Sequence, residues 1–125
     1  MTKTRSQRYS TDALTLVRKL KEREPQNSAH VGEGLRWLEK LPGLVLVNGL
    51  IGTLLKLVSE SKDDEVAKML AADLLAHHYE ATKLVDMTSS KYMRAQRQCL
   101  EYLSWVKRWG QASLDKPKKR TGTPE

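Results

Sequence analysis

The chain has 125 residues, a single cysteine and a formal net charge of +7, which bounds it to one domain able to bury a core without covalent staples. One thiol, Cys99, excludes an internal disulfide and cannot by itself build a cysteine-type zinc site. With no signal-peptide pattern at the start, the expected compartment is the reducing cytoplasm.

No segment alternates apolar and polar residues with the period of two that a strand requires, so the expected class is all-α: one bundle of five to six helices over residues 1–114. The first helix spans about residues 6–23, with Tyr9, Ala13, Leu16, Val17 and Leu20 as its core stripe, and Pro25 stops it. Asn27 or Ser28 can cap a second helix that buries Val31, Leu35 and Leu38 and ends near Leu41-Pro42-Gly43. A short apolar helix then runs to Val47, and Asn48-Gly49 marks a break because both residues tolerate positive φ. Residues 50–58 form a further apolar helix. The stretch 41–58 is also the one transmembrane candidate, but Pro42, its glycines, Asn48 and Lys56 favour a buried, interrupted pair of core helices and no membrane.

A fourth long helix is expected over residues 64–86, opened by acidic residues that suit the N-terminal dipole. Its main stripe is Val66, Leu70, Leu74, His77, Ala81 and Leu84. Ala72, Leu75 and Tyr79 make a second apolar patch, calling for burial on two sides or against another chain. Asp73 and His77, four residues apart, read as a hydrogen-bonded pair rather than a metal or catalytic site, since adjacent His77 and His78 diverge by about 100° on a helix. No cofactor is expected, and His30 reads as surface. Thr88-Ser89-Ser90 is a turn and cap.

The last helix, about residues 91–114, carries most of the information. Tyr92, Ala95, Cys99, Tyr102, Leu103, Val106 and Gly110 share one apolar arc, and Arg94, Arg97 and Arg108 lie nearly opposite. Such a stripe suits a phosphate backbone, although Glu101 interrupts it and can neutralise Arg97 one turn away; a solvated face or a protein partner fits the same pattern. Trp109 reads as packed. Met93, Leu100 and Trp105 lie outside the core arc and read as partner-burying surface. The tail, residues 115–125, has nothing apolar to dock and is expected to be disordered. Its KPKKR cluster reads as a solvated basic tail or an import-like signal.

Charge is spread unevenly. Residues 1–41 hold nine Lys/Arg against five Asp/Glu, residues 42–86 four against seven, and residues 87–125 nine against three. Basic ends around an acidic middle suit an anionic partner, or basic-on-acidic packing between copies.

Three motifs in order, RSQRY at 5–9, LPGLVLVNGL at 41–50 and YMRAQRQCLEYLSWVKR at 92–108, resemble the small subunit of the type III-B CRISPR effector, the Cmr complex. The resemblance implies a non-catalytic helical protein whose copies stack into a minor filament beside the other subunits and help to hold guide RNA paired with target RNA. It implies a basic, nucleic-acid-binding character for the first and last helices at Arg5, Arg8, Arg94, Arg97 and Arg108, each of which meets either RNA or a neighbouring subunit. The alternative from another class is a helical adaptor that oligomerises and binds only protein.

Overall fold

In the computed structural model, residues 3–23 and 32–114 are described. They form five helices, α1 (Arg5–Arg23), α2 (Glu33–Glu60), α3 (Glu65–Ala76), α4 (Ala81–Val85) and α5 (Ser89–Ser113), with no strand among them. The expectations placed on Pro25, Asn27, Ser28, His30, Val31 and the basic tail lie outside the described residues.

The chain builds α1 from a capping box. Thr4 Oγ1 accepts from the Gln7 amide (3.1 Å), and Gln7 Oε1 accepts from the Thr4 amide (2.8 Å), so two otherwise orphaned donors are satisfied reciprocally. The helix buries Ala13, Leu16, Val17 and Leu20, as its spacing demands. It lies along α5, and the contacts advance in the same direction on both helices. Arg5 meets Glu101, Trp109 donates to Ser10 Oγ at 3.0 Å, and Lys21 donates to the Ser113 carbonyl at 2.8 Å. Tyr9 and Tyr102 add an edge-to-face pair with ring centroids 5.7 Å apart.

The expected stop at Pro42 is not made. Helix α2 runs through it as far as a kink at Gly49. Proline forfeits one helical hydrogen bond and crowds the preceding turn, at a cost of about 3 kcal/mol. Against that, Leu38, Leu41 and Val45 are all at most 1 % exposed, and full burial of each such side chain contributes about 1.5–3 kcal/mol. Burial wins, and the helix continues.

The break expected at Asn48-Gly49 is made, at Gly49, where φ is 77° and ψ 166°, a region open essentially only to glycine. The buried positions show its effect: Leu38, Leu41 and Val45, then a skip to Leu50, Thr53, Leu54 and Leu57. Two backbone donors freed by the break are taken by α5. The Leu50 amide donates to Gln96 Oε1 (2.9 Å) and the Ile51 amide to Tyr92 Oη (3.3 Å). The buried Thr53 hydroxyl donates back to the Gly49 carbonyl at 2.9 Å. At the other end of this antiparallel pair, Gly110 lets the backbones close; a Cβ there would lie 2.7 Å from Leu38 Cδ1.

Asp64 joins α2 to α3. Its Oδ1 caps α3 by accepting from the Val66 and Ala67 amides, and its Oδ2 accepts from Trp37 Nε1 at 2.8 Å. The expected continuous helix over 64–86 is in fact two. His78 adopts φ 70°, the Tyr79 amide reaches the Leu74 carbonyl and the His78 amide the Leu75 carbonyl. This is a Schellman termination with histidine in the position glycine usually takes. Beyond it α4 packs on α2 and buries Leu84. Thr88 caps α5 as expected, its hydroxyl accepting from the Lys91 amide. Helix α5 packs against both α1 and α2, and Cys99, Tyr102, Leu103, Val106 and Gly110 of the expected arc are buried.

Two glycines of α2 should therefore respond oppositely to alanine. Gly49→Ala forces a side chain into positive φ and within 3.2 Å of Tyr92 Oη, and should lower stability by about 1–3 kcal/mol. Gly43→Ala adds a methyl that meets nothing within 4 Å and should raise it by about 0.5–1 kcal/mol. Urea midpoints of the two variants would test this, and equal shifts would show that the break is not where the strain lies.

Candidate nucleic-acid interface

Because Tyr92 and Gln96 are held inward against the α2 break, Arg94 and Arg97 must face outward, and both are exposed. Helix α1 brings Arg5 to the same place. Arg5, Arg94, Arg97, Gln98 and Glu101 line one open notch between the start of α1 and the middle of α5. Arg5 Nη2 lies 3.0 Å from Glu101 Oε1. The expected Glu101–Arg97 pairing along the helix is not formed; Glu101 is held across helices by Arg5 instead. Neither Arg94 nor Arg97 has an acidic partner among the described residues, so the notch has three guanidinium groups against one carboxylate.

The other candidate residues lie outside this notch. Arg8 is exposed on α1. Arg108 is exposed further along α5, its guanidinium carbon 5.2 Å from the centroid of the half-buried Trp105 ring. Of the expected partner-facing residues, Met93 is 50 % exposed, while Leu100 and Trp105 are partly buried and pack against the core. Trp109, through Ser10, is packed between helices. Sequence reasoning missed Gln98 and the Arg5–Glu101 pair. Only the i,i+4 spacing from Arg94 to Gln98 signalled the first, and nothing local could signal the second.

A second surface is apolar. Leu55 and Val58 of α2 and Leu75 of α3 are each more than half exposed. They line a groove with Leu54, Ala71, Ala72, Tyr79 and Ala81. Leu46 and Val47 project from α2 near the break, at 70 % and 82 % exposure. By length and composition α2 could cross a membrane, yet its inner face is fixed in this bundle by α5 and α3.

The expected Asp73–His77 hydrogen bond is not made. Asp73 Oδ2 accepts from Tyr102 Oη at 2.6 Å, and His77 stacks obliquely on the Tyr102 ring with its Nε2 4.0 Å from Asp12 Oδ2. Burial raises the Asp73 carboxyl above its ordinary 3.8, with the Tyr102 hydrogen bond and nearby His77 and Lys19 opposing. Burial pushes the Tyr102 hydroxyl up, further raised by Asp73, and takes the Cys99 thiol to about 12. No group of three or more His, Cys, Asp or Glu among the described residues could hold a metal ion.

The fold and the site together define a small all-α bundle with two distinct surfaces, one basic and concave, the other apolar. The family model for the CRISPR-associated protein family Cas_Cmr5 matches residues 5–113, and the chain belongs to that family. It is thus a small subunit of the Cmr, type III-B, CRISPR complex and associates with other Cmr subunits. No curated protein and no solved structure matches it.

The Asp73 environment makes a pH prediction. The folded carboxyl keeps its proton to higher pH than the unfolded one. As pH rises past 3.8 the unfolded state releases its proton first, and this group's contribution to stability falls until the folded carboxyl also ionises. Asp73→Asn keeps an acceptor for Tyr102 and removes the charge. It should match the parent at pH below 3.8 and become progressively more stable than it above, by urea melts across that range. A gap independent of pH would show that burial does not govern this carboxyl.

Proposed function

We propose that the chain is a non-catalytic subunit whose copies stack beside the other Cmr subunits and help to hold guide and target RNA. The observation that carries this is the notch. Two basic stretches, remote in sequence, are folded into one patch in which Arg94 and Arg97 have no acidic partner among the described residues. A single such patch binds a polyanion weakly and without sequence preference. Stacked copies would repeat it into a continuous track, converting weak contacts into avidity. Arg8 and Arg108 would extend the track to either side. Copies could pack through the exposed apolar surface and through basic ends on an acidic middle, in the cytoplasm and without a membrane.

The adaptor reading draws on a specific observation too, the exposure of Leu46, Val47, Leu55, Val58 and Leu75. Salt dependence separates the two. With about four phosphates neutralised per copy, the log–log salt slope for single-stranded RNA should be on the order of −3 per copy. Arg94→Glu with Arg97→Glu should weaken target-RNA binding and flatten that slope, leaving guide-loaded assembly intact. If the doubly substituted chain drops out of the complex while the remaining particle keeps its slope, the basic face is a protein interface and the adaptor reading replaces this one. As a non-catalytic subunit the purified chain should also leave labelled RNA intact in Mg²⁺ or Mn²⁺. Cleavage abolished by Asp73→Ala would overturn that part.

A further inference from the structure

The notch contains a group that a purely phosphate-binding surface would exclude. Glu101 stands among three arginines, and a carboxylate there repels every phosphate that approaches. It is not a loose surface acid. Its side chain is 32 % exposed, less than the 53 % of its partner Arg5, and Arg5 holds it at 3.0 Å from another helix. Arg5 occupies one carboxylate oxygen, Oε1, so the other, Oε2, retains acceptor capacity in a fixed position. Beside it Gln98, half-buried, offers both a donor and an acceptor.

On α5 these groups form two parallel rows. Arg94 is followed one turn later by Gln98, and Arg97 one turn later by Glu101. Each row thus sets a phosphate-binding guanidinium beside a group that can hydrogen-bond a hydroxyl. In RNA the 2′-hydroxyl sits on the sugar carbon next to the one bearing the 3′-phosphate. It can donate to a carboxylate, whereas DNA has nothing to donate there. Resting on the reading of this face as an RNA-binding surface, we infer that the notch reads the ribose. Arg94 and Arg97 hold backbone phosphate while Glu101, positioned by Arg5, accepts from a 2′-hydroxyl with Gln98 alongside. The carboxylate then weakens binding of deoxy backbone by repulsion and recovers that loss only on RNA. Glu101 is a sugar-discriminating residue, and Arg5 is its positioning residue.

The test is an NMR titration of the ¹⁵N-labelled full chain at low salt, a method that reads weak binding. The probes are a short oligouridylate, its 2′-deoxy counterpart and its 2′-O-methyl counterpart. The 2′-O-methyl strand keeps an RNA-like sugar but cannot donate. The ribo strand should bind about tenfold more tightly than either analogue, the worth of one hydrogen bond to an ionised acceptor. The Gln98 side-chain amide signals should move with the ribo strand and much less with the others. Glu101→Ala should abolish the preference and raise affinity for the deoxy strand. Glu101→Gln, which keeps an acceptor, should raise affinity for all three and retain part of the preference. If the three strands bind the parent equally while Arg94→Glu with Arg97→Glu removes binding, the notch is a phosphate site blind to the sugar, and this inference fails alone. If the charge reversals change nothing, or no strand binds, the RNA-binding reading falls and this inference with it.

Discussion

The break at Gly49 is the constraint on which the rest of the bundle depends. A helix interrupted inside a protein leaves amide donors that must be satisfied, and an unsatisfied buried one costs about 1–3 kcal/mol. Here the acceptors are Gln96 and Tyr92, both from α5. Hydrogen bonds to specific amides fix register in a way that apolar contact alone does not. Leucines can slide along one another, but Gln96 can reach the Leu50 amide from only one axial position and rotation. Once α5 is pinned there, Gly110 falls opposite Leu38 and the two helices close. The same rotation turns Arg94 and Arg97 to solvent.

The position of Arg5 follows from a second tie. Trp109 to Ser10 and Lys21 to the end of α5 hold α1 along the opposite flank, so its start lies at the level of Glu101. The partly exposed Arg5–Glu101 pair contributes little to stability, about 0–1 kcal/mol. Its importance is geometric: one guanidinium fixes one carboxylate in a field of cations. The apolar surface follows from α2 as well. A helix apolar on nearly all sides, with α5 and α3 covering only part of it, leaves Leu46, Val47, Leu55 and Val58 outward.

Periodicity made α1 and α5 legible almost residue by residue, because each has one continuous apolar arc facing the core. The Asn48-Gly49 break was legible for a similar local reason, since so few residues accept its backbone. Pro42 misled because its penalty is local, whereas the burial of Leu38, Leu41 and Val45 that outweighs it is tertiary. The turn at His78 was hidden because histidine is not the residue that usually marks a left-handed position, and the apolar stripe runs unbroken past it. In the candidate site, the arginines of α5 could be grouped from spacing alone. Their meeting with Arg5 joins residues nearly a hundred positions apart, and local spacing points Glu101 to the nearer Arg97 because it cannot see another helix. Local spacing points Asp73 to His77 for the same reason, whereas its partner, Tyr102, is on α5.

Helix α1 has its principal neighbour in α5, the last helix of the bundle. During synthesis at about 5–20 residues per second, α1 emerges first and its partner last. Until then Leu16, Val17 and Leu20 have only slight cover from α3, and the Leu50 and Ile51 amides lack Gln96 and Tyr92. The ribosome must release nearly the whole described chain before either can close. Loss of the final turns of α5 would therefore undo α1 along with α5.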